Sequence, residues 1–300
     1  MKKTIHAKLF VNPAAGGSKC RKSYRAVVRK LTEAGIMCDV VLSEYPGHIA
    51  DVAFDLAATG FETVIACGGD GTINEVINGI AGTNTVMGIV PLGTANDFAA
   101  NMAISKNIKR ACAIIKQRQV KKIDVVRINN DKFFVGTACL GFDAEIAAFA
   151  SRRRNLCPFL THVLGGMVKY ISYSPKTVDI RFEDQKYFGD IFLVAFGNIK
   201  TYAKGMKITP KAVPDDALLD ICLITRMPKW KLPFVIPSVY KGTHAKYKGI
   251  TMHQAEAVYV QTSTPMDLYA DGDFMTTTPF RLNVVPRHLN VIVGPDGGKP

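Results

Sequence analysis

Residues 63–75 constrain the fold more than any other stretch. Thr63-Val64-Ile65-Ala66-Cys67 is short, apolar and bounded by polar residues, the signature of a strand buried on both faces of a parallel sheet. Gly68-Gly69-Asp70-Gly71-Thr72 follows, and then Ile73, Val76, Ile77 and Ile80 recur at helical spacing, with Gly79 and Gly82 near the end. Thr72 and Glu75 have the spacing of a capping box. The pattern is a strand, a glycine turn and a helix. Glycines there let backbone N–H groups approach a ligand, and a helix N-terminus favours negative charge, so the natural guest is a phosphate chain. Asp70 would repel a bare phosphate, which leaves it to bind an accompanying metal, hold a sugar hydroxyl or accept a proton. The turn lacks the Gly-Lys-Ser/Thr ending of a P-loop, and Asn74 stands where a dinucleotide fingerprint beginning at Gly69 needs glycine.

The rest of the first half repeats this grammar. Residues 5–11 form a strand candidate closed by Asn12-Pro13-Ala14-Ala15-Gly16-Gly17-Ser18, a small-residue loop that lets phosphates near the backbone. Ser18 is a candidate cap for a basic helix reaching about residue 34. A strand over 37–42 ends at Ser43, and 46–58 reads as a helix. The strand 86–90 delivers Pro91-Leu92-Gly93-Thr94-Ala95-Asn96-Asp97, where Gly93 makes the bend and Thr94, Asn96 or Asp97 caps the next helix. Alternating strands and helices with short connections predict a doubly wound parallel sheet, whose ligands sit at the carboxyl ends of strands. Asn12, Ser43 and Gly69 all follow strand ends and converge on one crevice in that scheme. Asp97 is a second glycine-bounded acid suited to a shared metal and phosphate site.

From residue 120 the pattern turns antiparallel. Strands are expected over 120–129 and 133–140, with a turn at Asn130-Asp131 between them. Asp124 sits inside the first, where a lone acid ordinarily marks the solvent face. A helical stretch over 141–172 carries an apolar stripe. Strands are predicted over 177–182, 190–196, 218–224, 257–262, 266–271, 280–285 and 289–293, with a helical insertion around Trp230, making a sandwich-like second domain. Asp271-Gly272 reads as a hairpin turn within Tyr269-Ala270-Asp271-Gly272-Asp273.

Composition narrows the partners. Hydrophobic residues are 48% and charged residues 21% of 300, which suits compact globular domains. No apolar run approaches the roughly 20 residues that cross a bilayer, and no signal peptide follows Met1, so the expected location is cytoplasmic. The seven cysteines form no close pairs and read as reduced thiols, not ligands. A net charge of +13 implies anionic company: a nucleotide, nucleic acid or an acidic membrane surface. Zinc-finger, RNP and helix-turn-helix signatures are missing, which argues against nucleic acid.

Gly-Gly-Asp-Gly-Thr with Asn-Glu at 68–75, Pro-Leu-Gly-Thr-Ala-Asn-Asp-Phe at 91–98 and the late Asp-Gly-Asp at 271–273 together resemble the soluble bacterial diacylglycerol kinase family and its YegS-like lipid kinase relatives. NAD kinases and phosphofructokinases share versions of the first motif; the second motif and the chain length favour lipid kinases. The resemblance implies an α/β nucleotide domain over 1–125, a β-sandwich lipid-substrate domain over 126–293 completed by the last chain segment, an active site between them, and a flexible tail over 294–300. It implies ATP contacts at Asn12, Ser43, Gly69, Asp70, Gly71, Thr72, Ile73, Asn74, Glu75 and Thr94. It assigns Asp70, Asp97 and Asp124 to organising Mg²⁺ and water. The proton acceptor matches Asp273, where glutamate is commoner, with Asp271 as the fallback. A separate structural Mg²⁺ matches the turn Val213-Pro214-Asp215-Asp216-Ala217-Leu218, held by Asp216 and the carbonyls of Val213 and Leu218, with Ala217 in place of glycine.

The function so implied is an ATP- and Mg²⁺-dependent lipid kinase, converting diacylglycerol to phosphatidic acid. The alternatives are an NAD or sphingoid-base kinase, or a non-catalytic basic nucleotide-binding protein. The expected lipid contact is peripheral, through Arg152, Arg153 and Arg154 ahead of an apolar stripe. Oligomeric state is left open, a homodimer included.

Overall fold

The computed structural model describes residues 5–14, 19–151, 173–183, 185–225 and 228–295. Residues 152–154, the stripe over 160–171, Ser18 and Cys157 lie outside the described residues. The chain divides into two compact units: Met1–Val125 with Pro214–Asp216 and Val285–Pro300, and Val126–Val213 with Ala217–Val284.

In the first unit β1 (Ile5–Val11), β2 (Ile36–Leu42), β3 (Thr63–Gly68) and β4 (Val86–Pro91) alternate with α1 (Lys19–Glu33), α2 (His48–Ala58) and α3 (Asp70–Ile80). The strands are parallel in the order β2-β1-β3-β4, and the end of β15 (Phe280–Ile292) joins β4 in parallel through Asn290 and Val291. Every residue of β3 is buried, as its apolar run requires, whereas edge strand β2 leaves Met37, Val40 and Leu42 exposed. α4 (Asp97–Asn101) and α5 (Ile108–Gln117) follow β4, and β5 (Val120–Ile128) begins in this unit. Gly79 is a contact residue: a Cβ there would lie 2.6 Å from both the Ala50 carbonyl oxygen and the Ala53 Cβ, so it lets α2 and α3 touch.

The second unit is antiparallel. β6 (Lys132–Phe134), β7 (Thr137–Gly141), β8 (Lys176–Phe182), β9 (Gln185–Gly197), β10 (Leu219–Thr225), β11 (Ile250–Ala255), β12 (Ala257–Thr262), β13 (Asp267–Ala270) and β14 (Asp273–Thr277) are joined by the start of β15. Strand order runs β14-β13-β7-β9-β8-β12-β15, and β10 and β11 branch from β9. Phe134, Leu140, Phe196, Leu268 and Phe280 fill the core of this β-sandwich. The unit's two described α-helices are α6 (Phe142–Ser151) and α7 (Leu232–Lys241). A smaller core, with Phe192, Cys222, Val235 and Val239, lies under α7.

Several sequence expectations change. The strand expected over 133–140 breaks at Val135-Gly136, because the Asp271 carboxylate takes the amides on either side of Gly136. The two expected final strands form one, β15, and Val285 onward belongs to the first unit. The chain end holds longer than the expected tail: the Val293 and Gly294 amides donate to the Gln119 and Met102 carbonyls at 2.9 Å each. β11 and β14 are additional. The Asp271-Gly272 hairpin turn is present, with φ of 51° and 92°.

Ala217 occupies the left-handed region, φ 64°, where a glycine carries no Cβ penalty. Ala217→Gly is therefore expected to raise stability by about 1 kcal/mol, a gain of about 2–4 °C in melting temperature. Thermal unfolding of the two proteins checks this.

Candidate active site

In the first unit, strand register brings the predicted loops to one edge. Val11 is level with Leu42 and Cys67, Cys67 with Val90, and Gly68 with Pro91. Asn12, Ser43, Gly69 and Leu92 thus each stand one residue past a strand end. The order β2-β1-β3-β4 reverses direction at β1 and β3, the switch point where such sheets take their ligands. Asn12 and Gly69 flank it. The Cys20 thiol, at the start of α1, donates to the Cys67 carbonyl at 3.1 Å and ties α1 to the end of β3, a contact that no sequence pattern signalled.

The glycines of the two central loops serve close approach, not backbone handedness. None of Gly68, Gly69, Gly71 and Gly93 has a positive φ. The Gly68 carbonyl accepts from the Leu92 and Gly93 amides at 2.8 and 3.1 Å. A Cβ on Gly93 would fall 2.3 Å from the Gly69 Cα, backbone that cannot swing aside. A Cβ on Gly68 would meet the Thr72 Oγ1 at 2.3 Å. The loops lie backbone against backbone.

Asp70 joins them. Its Oδ2 accepts from the Asn96 amide at 2.9 Å and its Oδ1 from the Phe98 amide at 3.2 Å, so its carboxylate caps α4 across sequence. Asn96 takes the left-handed conformation, φ 57°, and closes its own loop: its Oδ1 accepts from the Gly93 amide at 2.9 Å and its Nδ2 donates to the Gly93 carbonyl at 2.8 Å. Sequence reasoning offered Asn96 only as one of three cap candidates; the Asx-friendly spacing to Gly93 was the available signal.

The capping box at Thr72 and Glu75 is not formed. α3 begins at Asp70 with Gly69 as its N-cap, which puts Thr72 inside the helix. The Thr72 hydroxyl is buried and has no hydrogen-bond partner among the described residues. Glu75 instead reaches α2, where its Oε2 accepts from the Ile49 amide at 3.3 Å. Ile73 and Asn74 are buried, Asn74 accepting at its Oδ1 from the Asn78 Nδ2 at 3.1 Å; Gly71 is half-buried in the first turn. Around them, Thr94 is exposed, and Asp97 is half-buried in the first turn of α4. The Asn12 Oδ1 accepts from the Ala14 amide at 3.0 Å, and the Ser43 hydroxyl donates to the Tyr45 carbonyl at 3.2 Å.

Asp124 is fully buried, contrary to the solvent-face expectation for an acid in a strand. Its Oδ1 accepts from the Arg287 amide at 2.7 Å and its own amide donates to the Pro214 carbonyl at 2.7 Å. Next to it, Lys121 pairs with Asp215 at 2.8 Å. Asp216 is exposed, and Val213 and Leu218 are half-buried. Among the described residues no three His, Cys, Asp or Glu side chains gather into a metal-holding group, so the expected acids do not form a preformed cage.

In the second unit, Asp271 accepts from the Val135 amide at its Oδ2 (3.2 Å) and from the Thr137 amide at its Oδ1 (3.1 Å). Both oxygens hold backbone, and a Cβ on Gly136 would lie 2.2 Å from Oδ1. Asp273 opens β14 opposite Ala270 and is half-buried. A cavity of about 310 Å³ lined by Phe61, Glu62, Thr85 and Arg118 lies at the other edge of the first unit's sheet, before β3 and β4, away from all the loops above.

A helix N-terminus with close-packed glycines at a switch point, and carboxylates beside it, is the kind of arrangement in which α/β sheets receive phosphate groups. Comparison with known proteins gives the family. The diacylglycerol kinase catalytic domain matches residues 6–128, and the YegS C-terminal NAD kinase beta sandwich-like domain matches residues 136–293. A diacylglycerol kinase of Mycobacterium tuberculosis is 30% identical over 94% of this chain and 93% of its own length. One from Bacillus subtilis is 26% identical over 96% of each. The crystal structure of a diacylglycerol kinase from Bacillus anthracis superposes with a TM-score of 0.74 at 21% identity, covering 98% of both chains. The chain belongs to the diacylglycerol kinase family of lipid kinases, phosphotransferases with an alcohol acceptor.

Proposed function

We propose that the protein transfers the γ-phosphoryl group of ATP to the free hydroxyl of diacylglycerol, with Mg²⁺, giving phosphatidic acid for phospholipid metabolism at the cytoplasmic membrane surface. The observation that carries the nucleotide half is the convergence of Asn12, Ser43, Gly69 and Leu92 at the switch point, with the Asp70 carboxylate clamping the 93–98 loop beside it.

In this reading the amides at the start of α3 and the Asn12 loop receive the phosphates, and Gly71 leaves them room. The orphaned Thr72 hydroxyl, buried in the first turn of α3, is a donor suited to the same anion. Ser43 and Thr94 contact the rest of the nucleotide, while Ile73, Asn74 and Glu75 hold α3 rigid from behind. Asp97 and the unused lone pairs of Asp70 are the carboxylates that would hold magnesium, which fits an ion that takes one or two carboxylates and leaves its other positions to water and phosphate. When bound, the ion neutralises charge that develops on the transferring phosphoryl group. Asp124 fixes the base of the site through the Arg287 amide, and exposed Asp216 is the anchor for a structural magnesium at the left-handed Ala217 turn. Asp273 orients the lipid hydroxyl and takes its proton.

A panel assay with γ-labelled ATP tests the assignment. Diacylglycerol, monoacylglycerol and sphingosine in detergent micelles, and NAD in solution, are each incubated with the protein, with Mg²⁺ or with EDTA. Label is expected in phosphatidic acid, lost on chelation. Label carried chiefly by a sphingoid base or by NAD would overturn the substrate, and EDTA-resistant transfer would overturn the metal.

A further inference from the structure

Helix α7 is apolar on both sides. Val235, Ser238 and Val239 recur at i, i+3, i+4 and are buried, with both valines in the smaller core. The opposite face should then be polar. It carries Phe234, Ile236, Pro237 and Tyr240, all exposed, with Lys241. Just before the helix, in the 3₁₀ turn Lys229–Lys231, Trp230 is 68% exposed, and Phe234 one turn on is 67% exposed. Large aromatics held open to water in one cluster mark an interaction surface.

Charge selects the partner. Residues 221–255 contain six Lys and Arg and no Asp or Glu. Lys231, Lys241, Lys246 and Lys248 are exposed, and the Lys231 ammonium sits 5.3 Å from the Trp230 ring centroid. Lys207, also exposed, is fixed beside the end of α7, its amide donating to the Val239 carbonyl at 3.1 Å. A second copy meeting this patch through a two-fold axis would set lysines against lysines. Tryptophan and tyrosine with flanking lysines are instead the chemistry of the headgroup boundary, where the rings enter the acyl edge and the ammonium groups meet phosphate.

We propose that Trp230, Phe234, Ile236 and Tyr240 with their flanking lysines form a docking face for an anionic bilayer. The choice of a bilayer rests on membership of a lipid kinase family. Each aromatic adds apolar burial and each lysine adds attraction to the leaflet, so the two contributions respond differently to salt.

Trp230 is the chain's sole tryptophan, so emission excited at the red edge of the absorption band, where the tyrosines do not absorb, reports this surface alone. The full chain is titrated, without ATP or diacylglycerol, with vesicles of equal phosphatidylglycerol and phosphatidylcholine, with phosphatidylcholine vesicles, and with anionic vesicles carrying brominated acyl chains. Co-sedimentation measures binding in parallel. The expected result is sedimentation with anionic vesicles only, a blue shift of Trp230 emission, and quenching by the brominated chains. Phe234→Ser with Tyr240→Ser, both at exposed positions, should weaken vesicle affinity at least tenfold while leaving circular dichroism and phosphorylation of a short-chain, dispersed lipid unchanged. Sedimentation with an unshifted, unquenched Trp230 would overturn the proposal, since contact would lie elsewhere. So would the absence of vesicle binding, or a blue shift that follows protein concentration without lipid. Because binding is read without turnover, a wrong substrate assignment leaves this test intact.

Discussion

Asp273→Asn is expected to lower the turnover number about 10²- to 10⁴-fold, the loss typical of a missing proton transfer, with nucleotide affinity unchanged. The substitution keeps the size of the side chain and removes only its basicity. Asp271 is a poor substitute, because both its oxygens already accept from the Val135 and Thr137 amides. Asp271→Asn should therefore act on stability, leaving one backbone donor unpaired at a cost of about 1–3 kcal/mol. Steady-state kinetics on dispersed lipid, with thermal unfolding of both variants, separates the two roles. Unchanged turnover in Asp273→Asn would remove it as the proton acceptor, and a turnover collapse in Asp271→Asn at unchanged melting temperature would move the role there.

Gly93→Ala should be the most damaging alanine substitution among the glycines of the two central loops. The new methyl would sit 2.3 Å from the Gly69 Cα and 2.7 Å from the Asn96 Oδ1. The first contact is with backbone, so the two loops must part. That overpacking costs about 1–3 kcal/mol, and it also breaks the Gly68 carbonyl's bond to the Gly93 amide and strains the two hydrogen bonds between the Asn96 side chain and the Gly93 backbone. Because parting the loops moves the start of α3, nucleotide affinity should fall by at least a hundredfold, beyond what the stability loss alone would produce. Calorimetric titration with an ATP analogue, run well below the variant's melting temperature, reads this directly. By contrast, Gly71 has no positive φ, so Gly71→Ala imposes no left-handed backbone strain.

The legible parts of the fold were those fixed by local pattern. β3 announced itself because both its faces are buried, and its register with β1 and β4 follows from lying between them, so the edge where the loops gather could be read from where each apolar run stopped. What could not be read is the long-range pairing of polar groups. Glu75 has the spacing of a local cap, yet the Ile49 amide, 26 residues away, takes its carboxylate. Asp124 has the look of a solvent-facing acid, yet residues 123–126 are buried throughout, and its partner is an amide 163 residues on. From its place in the glycine turn Asp70 suggested a metal ligand, a partner for a sugar hydroxyl or a proton acceptor; its two amide bonds to the second loop depend on the approach of Gly69 and Gly93, which only the packed sheet reveals. The break at Gly136 has the same origin, since Asp271 lies 136 residues from Val135.

A crystal structure of the full chain with a non-hydrolysable ATP analogue and Mg²⁺ tests the site most directly. The phosphates should lie at the β1/β3 switch point, against the Asn12 loop and the first-turn amides of α3, with the Thr72 hydroxyl now partnered and the metal touching Asp97 or Asp70. A nucleotide seated instead at the opposite edge of the sheet, in the cavity lined by Phe61, Glu62, Thr85 and Arg118, would contradict the account.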